Sequence, residues 1–147
     1  MLPRAAYVDE AVFRWEVANF FAGGWTCVAR GGDIPSPGDQ TAKSVGRGGV
    51  LLIRDMGGQL HGFANACRHR GHELLECGER AHREIVLCPY HSWSYRLDGS
   101  LRRAPRYNEV EGFDKADFGL VELPTVEWQG LIFVDSSGAA GPFAAHV

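Results

Sequence analysis

Four side chains in this sequence have the types and spacing to do chemistry together. Cys67 and His69 stand in "CRHRG" (67–71) and Cys88 and His91 in "CPYH" (88–91), with 18 residues between the two pairs. Each pair supplies one thiolate and one imidazole. Together they offer two sulfur and two nitrogen donors, a set that suits tetrahedral zinc or an iron–sulfur cluster. A zinc finger usually pairs Cys with Cys and follows with His and His, the second pair on a helix. Here each loop offers one of each. That mixed order suits a binuclear centre better, in which two cysteines hold one iron and two histidines the other, because each loop must then reach both irons. Gly71 and Pro89 suit the tight turns that such loops make beside inorganic sulfides.

The elements that must position these loops are mostly strands. "DEAVFRWEVANFF" (9–21) sets Phe13, Val17, Phe20 and Phe21 at i, i+4, i+7 and i+8, which predicts a short amphipathic helix with Asp9 as its N-cap. After "AGG" the period changes. "WTCVAR", "TAKSV", "GVLLIRD", "LHGFANAC", "EIVLC", "SYRLDG" and "GLIFVD" are short and rich in β-branched and aromatic residues, and read as strands. "GDIPSPGD" (32–39) is a loop, and "DMGG" (55–58) and "LDGSL" (97–101) carry hairpin signals. The expectation is one all-β domain of antiparallel sheets with a short N-terminal helix, both Cys/His pairs falling where strands give way to loops.

Composition narrows the classes. With 147 residues, 45% of them hydrophobic, the chain can bury one core but not two. A formal charge of −3 without blocks of like charge gives no nucleic-acid footprint. The longest apolar runs, "VLLI" and "LIFV", are strand-sized and far short of the roughly 20 residues of a membrane span. Acidic residues interrupt the N-terminus where a signal peptide needs its apolar run, so the expected compartment is the cytoplasm. There the four cysteines, Cys27, Cys67, Cys77 and Cys88, are expected as metal ligands or thiols rather than disulfides.

The two motifs and their flanks resemble a known family. "CRHRG" with "CPYHSWSYRLDGSLRRAP" (88–105) resembles the Rieske domain of ring-hydroxylating and related Rieske non-haem iron oxygenases, large subunit. "GVLLIRDMGGQLHGFANACRHRG" resembles the approach to the first ligand loop, and "VEWQGLIFVD" (126–135) the stretch that closes the domain, so the likeness spans about residues 10–143. It implies a Rieske fold with its cluster-binding loops at one tip, and one [2Fe–2S] cluster held by Cys67 and Cys88 on one iron and by His69 and His91 on the other. Two departures stand out. Ser92 takes the place of the family's usual glycine, and the spacer between the pairs is about one residue longer.

Respiratory-chain Rieske proteins carry an extra disulfide, a membrane helix and a cluster-donating serine. His72, Tyr90 and Trp93 stand at the corresponding side-chain positions here. Fewer donors to sulfur imply a lower potential within the span of roughly −150 to +300 mV for such centres. The resemblance further implies electrons arriving from an NAD(P)H-dependent flavin reductase or a ferredoxin and passing to a mononuclear Fe(II) in a catalytic domain. It implies a homo-oligomer, a trimer, for the full-length subunit, without nucleic acid or membrane. The substrate class, aromatic or quaternary amine, stays open. So does the choice between the electron-entry part of an oxygenase, which is favoured, and a free-standing Rieske-type ferredoxin.

The expected organisation is a helical extension over 1–24, the Rieske domain over 25–136 and the start of a linker over 137–147. His61, His72, His82 and His146 are expected on the surface or in loops, Cys27 as a buried strand thiol and Cys77 as a loop thiol. Trp15, Trp25 and Trp128 are expected in the core. Trp93 and Tyr95 are expected to pack beneath the cluster, and Arg68 and Arg70 flank the first loop as candidates for steering an acidic partner.

Overall fold

The computed structural model describes residues 1–46, 48–107 and 110–147. Two short helices open the chain, α1 (Ala5–Val8) and α2 (Glu10–Glu16), and α2 continues as a π-helical turn over Val17–Phe21. Asp9 caps α2 as anticipated, its side chain accepting the Ala11 N–H at 2.7 Å. The aromatic residues of its apolar face are largely exposed. Phe13, Phe20 and Phe21 are 57%, 58% and 47% exposed, and Trp15, expected in the core, is 56% exposed, because α2 packs chiefly against α1 and its own π-helical continuation rather than against a sheet.

Ten strands follow: β1 (Trp25–Arg30), β2 (Asp39–Val45), β3 (Gly48–Arg54), β4 (Leu60–Ala64), β5 (Arg80–His82), β6 (Val86–Leu87), β7 (Ser94–Tyr95), β8 (Leu101–Arg103), β9 (Thr125–Trp128) and β10 (Leu131–Asp135). They form three antiparallel sheets in the orders β1-β10-β9, β4-β3-β2-β5 and β6-β7-β8. Of the ten, β5, β8 and β9 were not expected as separate strands. Each has three or four residues, too few for an alternation to show.

The four-stranded sheet lies between two cores. Leu51 and Ile53 of β3 pack with Phe63, Trp93, Tyr95 and Leu101, while Val50 and Leu52 pack with Ile34, Ile132 and Val134. Successive side chains of a strand point to opposite faces, so a strand covered on both reads as the unbroken apolar run "VLLI". Each fully buried aliphatic side chain of this kind contributes about 1.5–3 kcal/mol. The two hairpin turns form where the sequence placed them. Asp55 Oδ1 accepts the N–H groups of Gly57 and Gln59, both at 2.8 Å, and Asp98 Oδ1 accepts that of Ser100 at 2.9 Å.

Two further expectations need correction. Cys27 is exposed rather than buried, since β1 forms one edge of its sheet and its register on β10 shifts between Cys27 and Ala29. Trp128 is 39% exposed because β9 forms the opposite edge of that sheet. Trp25 is half-buried and donates its indole N–H to the Gly141 carbonyl at 2.9 Å, with Phe143 packed edge-on against it. No helix among the described residues is long and apolar enough to cross a membrane.

Candidate metal centre

The first Cys/His loop follows β4, and the second joins β6 to β7. The two close in the same way. In the first, the Cys67 N–H donates to the His72 carbonyl and the Gly71 N–H to the Cys67 carbonyl, both at 2.8 Å. In the second, the Cys88 N–H donates to the Trp93 carbonyl at 2.8 Å and the Ser92 N–H to the Cys88 carbonyl at 3.1 Å. The fourth residue after each cysteine makes the turn with a left-handed backbone, φ 70° at Gly71 and 60° at Ser92. Serine therefore holds the turn of the second loop, in a conformation that costs an L-residue about 1–2 kcal/mol.

The loops bring all four candidate side chains to one tip at two depths. Cys67 and Cys88 are buried, 3% and 2% exposed, within the core beneath. His69 and His91 are half-buried with ring centroids 4.8 Å apart. Among the described residues no three His, Cys, Asp or Glu side chains gather as a single-ion site requires. A mononuclear zinc would need all four donors around one point, whereas a binuclear cluster asks only two protein donors of each iron. The donor set fits the second.

Among the described residues two buried side-chain atoms lack a hydrogen-bond partner, His91 Nδ1 and Trp93 Nε1, and both belong to the second loop. An unpaired buried nitrogen costs about 1–3 kcal/mol, which a bond from Nδ1 to a metal would remove. His69 has its Nε2 within 3.2 Å of the Tyr107 hydroxyl, so Nδ1 is again the nitrogen left over. Burial, followed by the charge of Arg70 and the neighbouring His91, lowers the pKa of His69 and favours the neutral imidazole that binds metals. Burial likewise pushes the Cys67 thiol up, although the Tyr95 hydroxyl opposes it. A thiolate at such a depth needs the positive charge of a metal beside it.

Several supports were not legible in the motifs. Asn65, buried two residues before Cys67, accepts the N–H groups of Leu74 and Leu75 at 3.2 Å each and donates to the Leu75 carbonyl at 2.6 Å. Gln40, buried on β2, donates to the carbonyls of Arg83 and Ile85 at 3.1 Å. These two amides fasten the stretch that joins the loops. Tyr95 packs beneath the tip as expected, its hydroxyl 3.2 Å from Cys67 Sγ, and the Trp93 ring stacks on His69 at 4.9 Å. Arg68 and Arg70 are exposed at the rim. An open depression of about 790 Å³ beside the histidines is lined, among the described residues, by Arg70, Arg103 and Arg106 and by no Asp or Glu. His72, His82 and His146 are exposed as expected. His61 is not a surface or loop residue: it lies half-buried on β4, its ring held 3.0 Å from Asp55 Oδ2. All four cysteines are free, and His72 and Tyr90 face each other with ring centroids 5.3 Å apart.

Residues 24–114 match the family described as Rieske [2Fe-2S] domain. The chain belongs to that family. The carnitine monooxygenase oxygenase subunit of Acinetobacter pittii (strain PHEA-2) is 38% identical to it over 133 residues, covering 90% of this chain and 36% of that protein. The crystal structure of the apo form of the quaternary ammonium Rieske monooxygenase CntA superposes with a TM-score of 0.87 at 35% identity, over 99% of this chain and 42% of that one. Naphthalene 1,2-dioxygenase from Rhodococcus sp. bound to indole gives a TM-score of 0.89 at 29% identity, over 99% of this chain and 33% of that one. This Rieske chain thus spans little more than a third of the curated relatives it matches first. The group that the family is described by is a single [2Fe–2S] cluster.

Proposed function

We propose that Cys67 and Cys88 bind one iron through sulfur and that His69 and His91 bind the other through Nδ1. The observation that carries this is the buried, unpartnered Nδ1 of His91, set in a loop closed by the same hydrogen bonds as its counterpart. A bound [2Fe–2S] cluster supplies a one-electron couple. The protein's part is to bury the sulfur ligands and hold the imidazoles at the tip, within reach of partners. The residues over 25–136 form the cluster-holding unit, 1–24 a helical extension and 137–147 the start of a linker.

The unit serves as the electron-entry domain of a Rieske-type oxygenase subunit. A ferredoxin or an NAD(P)H-dependent flavin reductase gives it electrons, and it passes them to a mononuclear non-haem iron. That second iron is assigned to the catalytic domain of the whole subunit, where two histidines and a carboxylate would hold it. Likeness to carnitine monooxygenase subunits supports a quaternary ammonium substrate for the whole enzyme, which we read as a cytoplasmic homotrimer. The first test is anaerobic purification. Red-brown protein that on reduction gives the low average g-value of a His-ligated cluster is expected. Colourless protein with stoichiometric zinc would sink the assignment.

A further inference from the structure

His69 is held from three sides. The Trp93 ring lies nearly parallel to it, with centroids 4.9 Å apart and 6° between the planes. His91 meets it edge-on at 4.8 Å. Tyr107 supplies the third contact, with its ring 5.5 Å away at 76° and its hydroxyl 3.2 Å from His69 Nε2. Tyr107 is itself fixed by Trp93 and Phe113, each with its ring centroid at 5.2 Å. It returns to the tip through a tight turn after β8, in which its N–H donates to the Ala104 carbonyl at 3.2 Å and Arg106 takes a left-handed φ of 70°. A non-glycine residue in that region costs about 1–3 kcal/mol and persists only where its surroundings require it.

The chemistry of imidazole fixes the direction of the hydrogen bond. A neutral ring carries one N–H, so a ring whose Nδ1 lone pair faces iron has its proton on Nε2. That proton points at Tyr107, and the phenolic oxygen accepts it. Such an outer partner holds the tautomer and the ring orientation and raises the basicity of the ligand nitrogen. His91 has no such arrangement: no described hydrogen bond reaches either of its ring nitrogens, and the ring beside it is that of Tyr90, at 3.9 Å.

We infer that Tyr107 is a positioning residue for His69. Its hydroxyl takes the outer N–H of that ligand inside the chain, strengthens electron donation to the iron and lowers the potential. Among the described residues His91 has no such acceptor on its outer nitrogen. The two ligands are thereby unequal, one paired within the domain and one not. Tyr107 lies 16 residues beyond His91 and outside both motifs, so no ligand spacing points to it.

This inference rests on the ligand assignment proposed above, and one pair of variants of the full chain tests it. Tyr107→Phe keeps the ring packing and removes only the acceptor. Tyr107→Leu removes both. The readouts are cluster content, the potential from a spectroelectrochemical titration, and pulsed EPR of the reduced state with ¹⁵N-labelled histidine. Tyr107→Phe is expected to keep its cluster and shift the one-electron equilibrium roughly three- to tenfold toward reduction, tenfold being about 59 mV. It should also make the couplings of the two outer nitrogens more alike. An unchanged potential and spectrum in fully loaded Tyr107→Phe, with changes only in Tyr107→Leu, would reduce Tyr107 to packing and overturn the inference. A parent protein without any cluster would instead overturn the ligand assignment, and this inference with it.

Discussion

The Tyr95 hydroxyl lies 3.2 Å from Cys67 Sγ and 3.0 Å from the backbone nitrogen of Arg68. The amide can only donate, so the phenolic oxygen accepts there and its own proton goes to the sulfur. Burial and the contact with Cys67 raise the Tyr95 pKa far beyond the usual phenol range, so the donor keeps its proton at every working pH. A donor to sulfur favours the reduced, more negative state. Tyr95→Phe should lower the potential by about 1 kcal/mol, or roughly 40 mV for one electron. The sign is opposite to that of Tyr107→Phe. A spectroelectrochemical comparison of the two variants checks both signs, and a Tyr95→Phe potential at or above that of the parent would contradict the geometry.

Ser92 makes the turn of the second loop at φ 60°, where Gly71 makes that of the first at φ 70°. Ser92→Gly removes the strain of an L-residue and gives back part of the gain through a more flexible unfolded chain. It should stabilise the protein by roughly 0.5–1 kcal/mol. Ser92→Val places a β-branched residue in the same conformation and should cost about 2 kcal/mol or more. Urea unfolding of the three proteins decides it, and equal midpoints would show that the turn carries no strain.

His91→Cys changes the ligand set from two sulfurs and two nitrogens to three sulfurs and one. The variant is expected to retain a cluster, with its potential moved from the His-ligated span toward the roughly −400 mV of all-cysteine plant-type centres. A fall of more than about 100 mV is the expected result of the titration. A potential equal to that of the parent would show that the His91 ring does not touch iron.

The sequence was most informative where local chemistry is self-contained. The two hairpin turns and the capping carboxylate of Asp9 need only neighbours in the chain, and each formed as read. It was least informative where a side chain's surroundings come from distant segments. An apolar stripe over 13–21 reads the same whether or not an element packs on it, so Trp15 was misplaced. Cys27 and Trp128 look like core residues until sheet order puts their strands at the edges. Asn65, Gln40 and Tyr107 carry no motif at all. Their roles arise when folding sets their polar atoms against backbone groups and rings from other elements.

Asp135 closes β10 and ties down the segment beyond it. Its carboxylate accepts the Ser137 N–H and hydroxyl at 2.9 and 2.6 Å and the Ala140 N–H at 2.8 Å. Burial alone would raise its pKa, but these donors together hold it below the ordinary value of 3.8. A carboxyl depressed in the folded state contributes stability that is complete above the unfolded value and disappears as pH falls through the folded one. Asp135→Asn turns an amide N–H₂ toward one of those donors. It should cost about 1–3 kcal/mol at pH near 7, or roughly 3 °C in Tm per kcal/mol. The gap to the parent should narrow as the pH is taken below about 4, since the parent then loses the same contribution. Urea unfolding at both pH values checks this. A gap of equal size at both would mean that the charge of Asp135 contributes nothing and that its hydrogen-bonding shape alone matters.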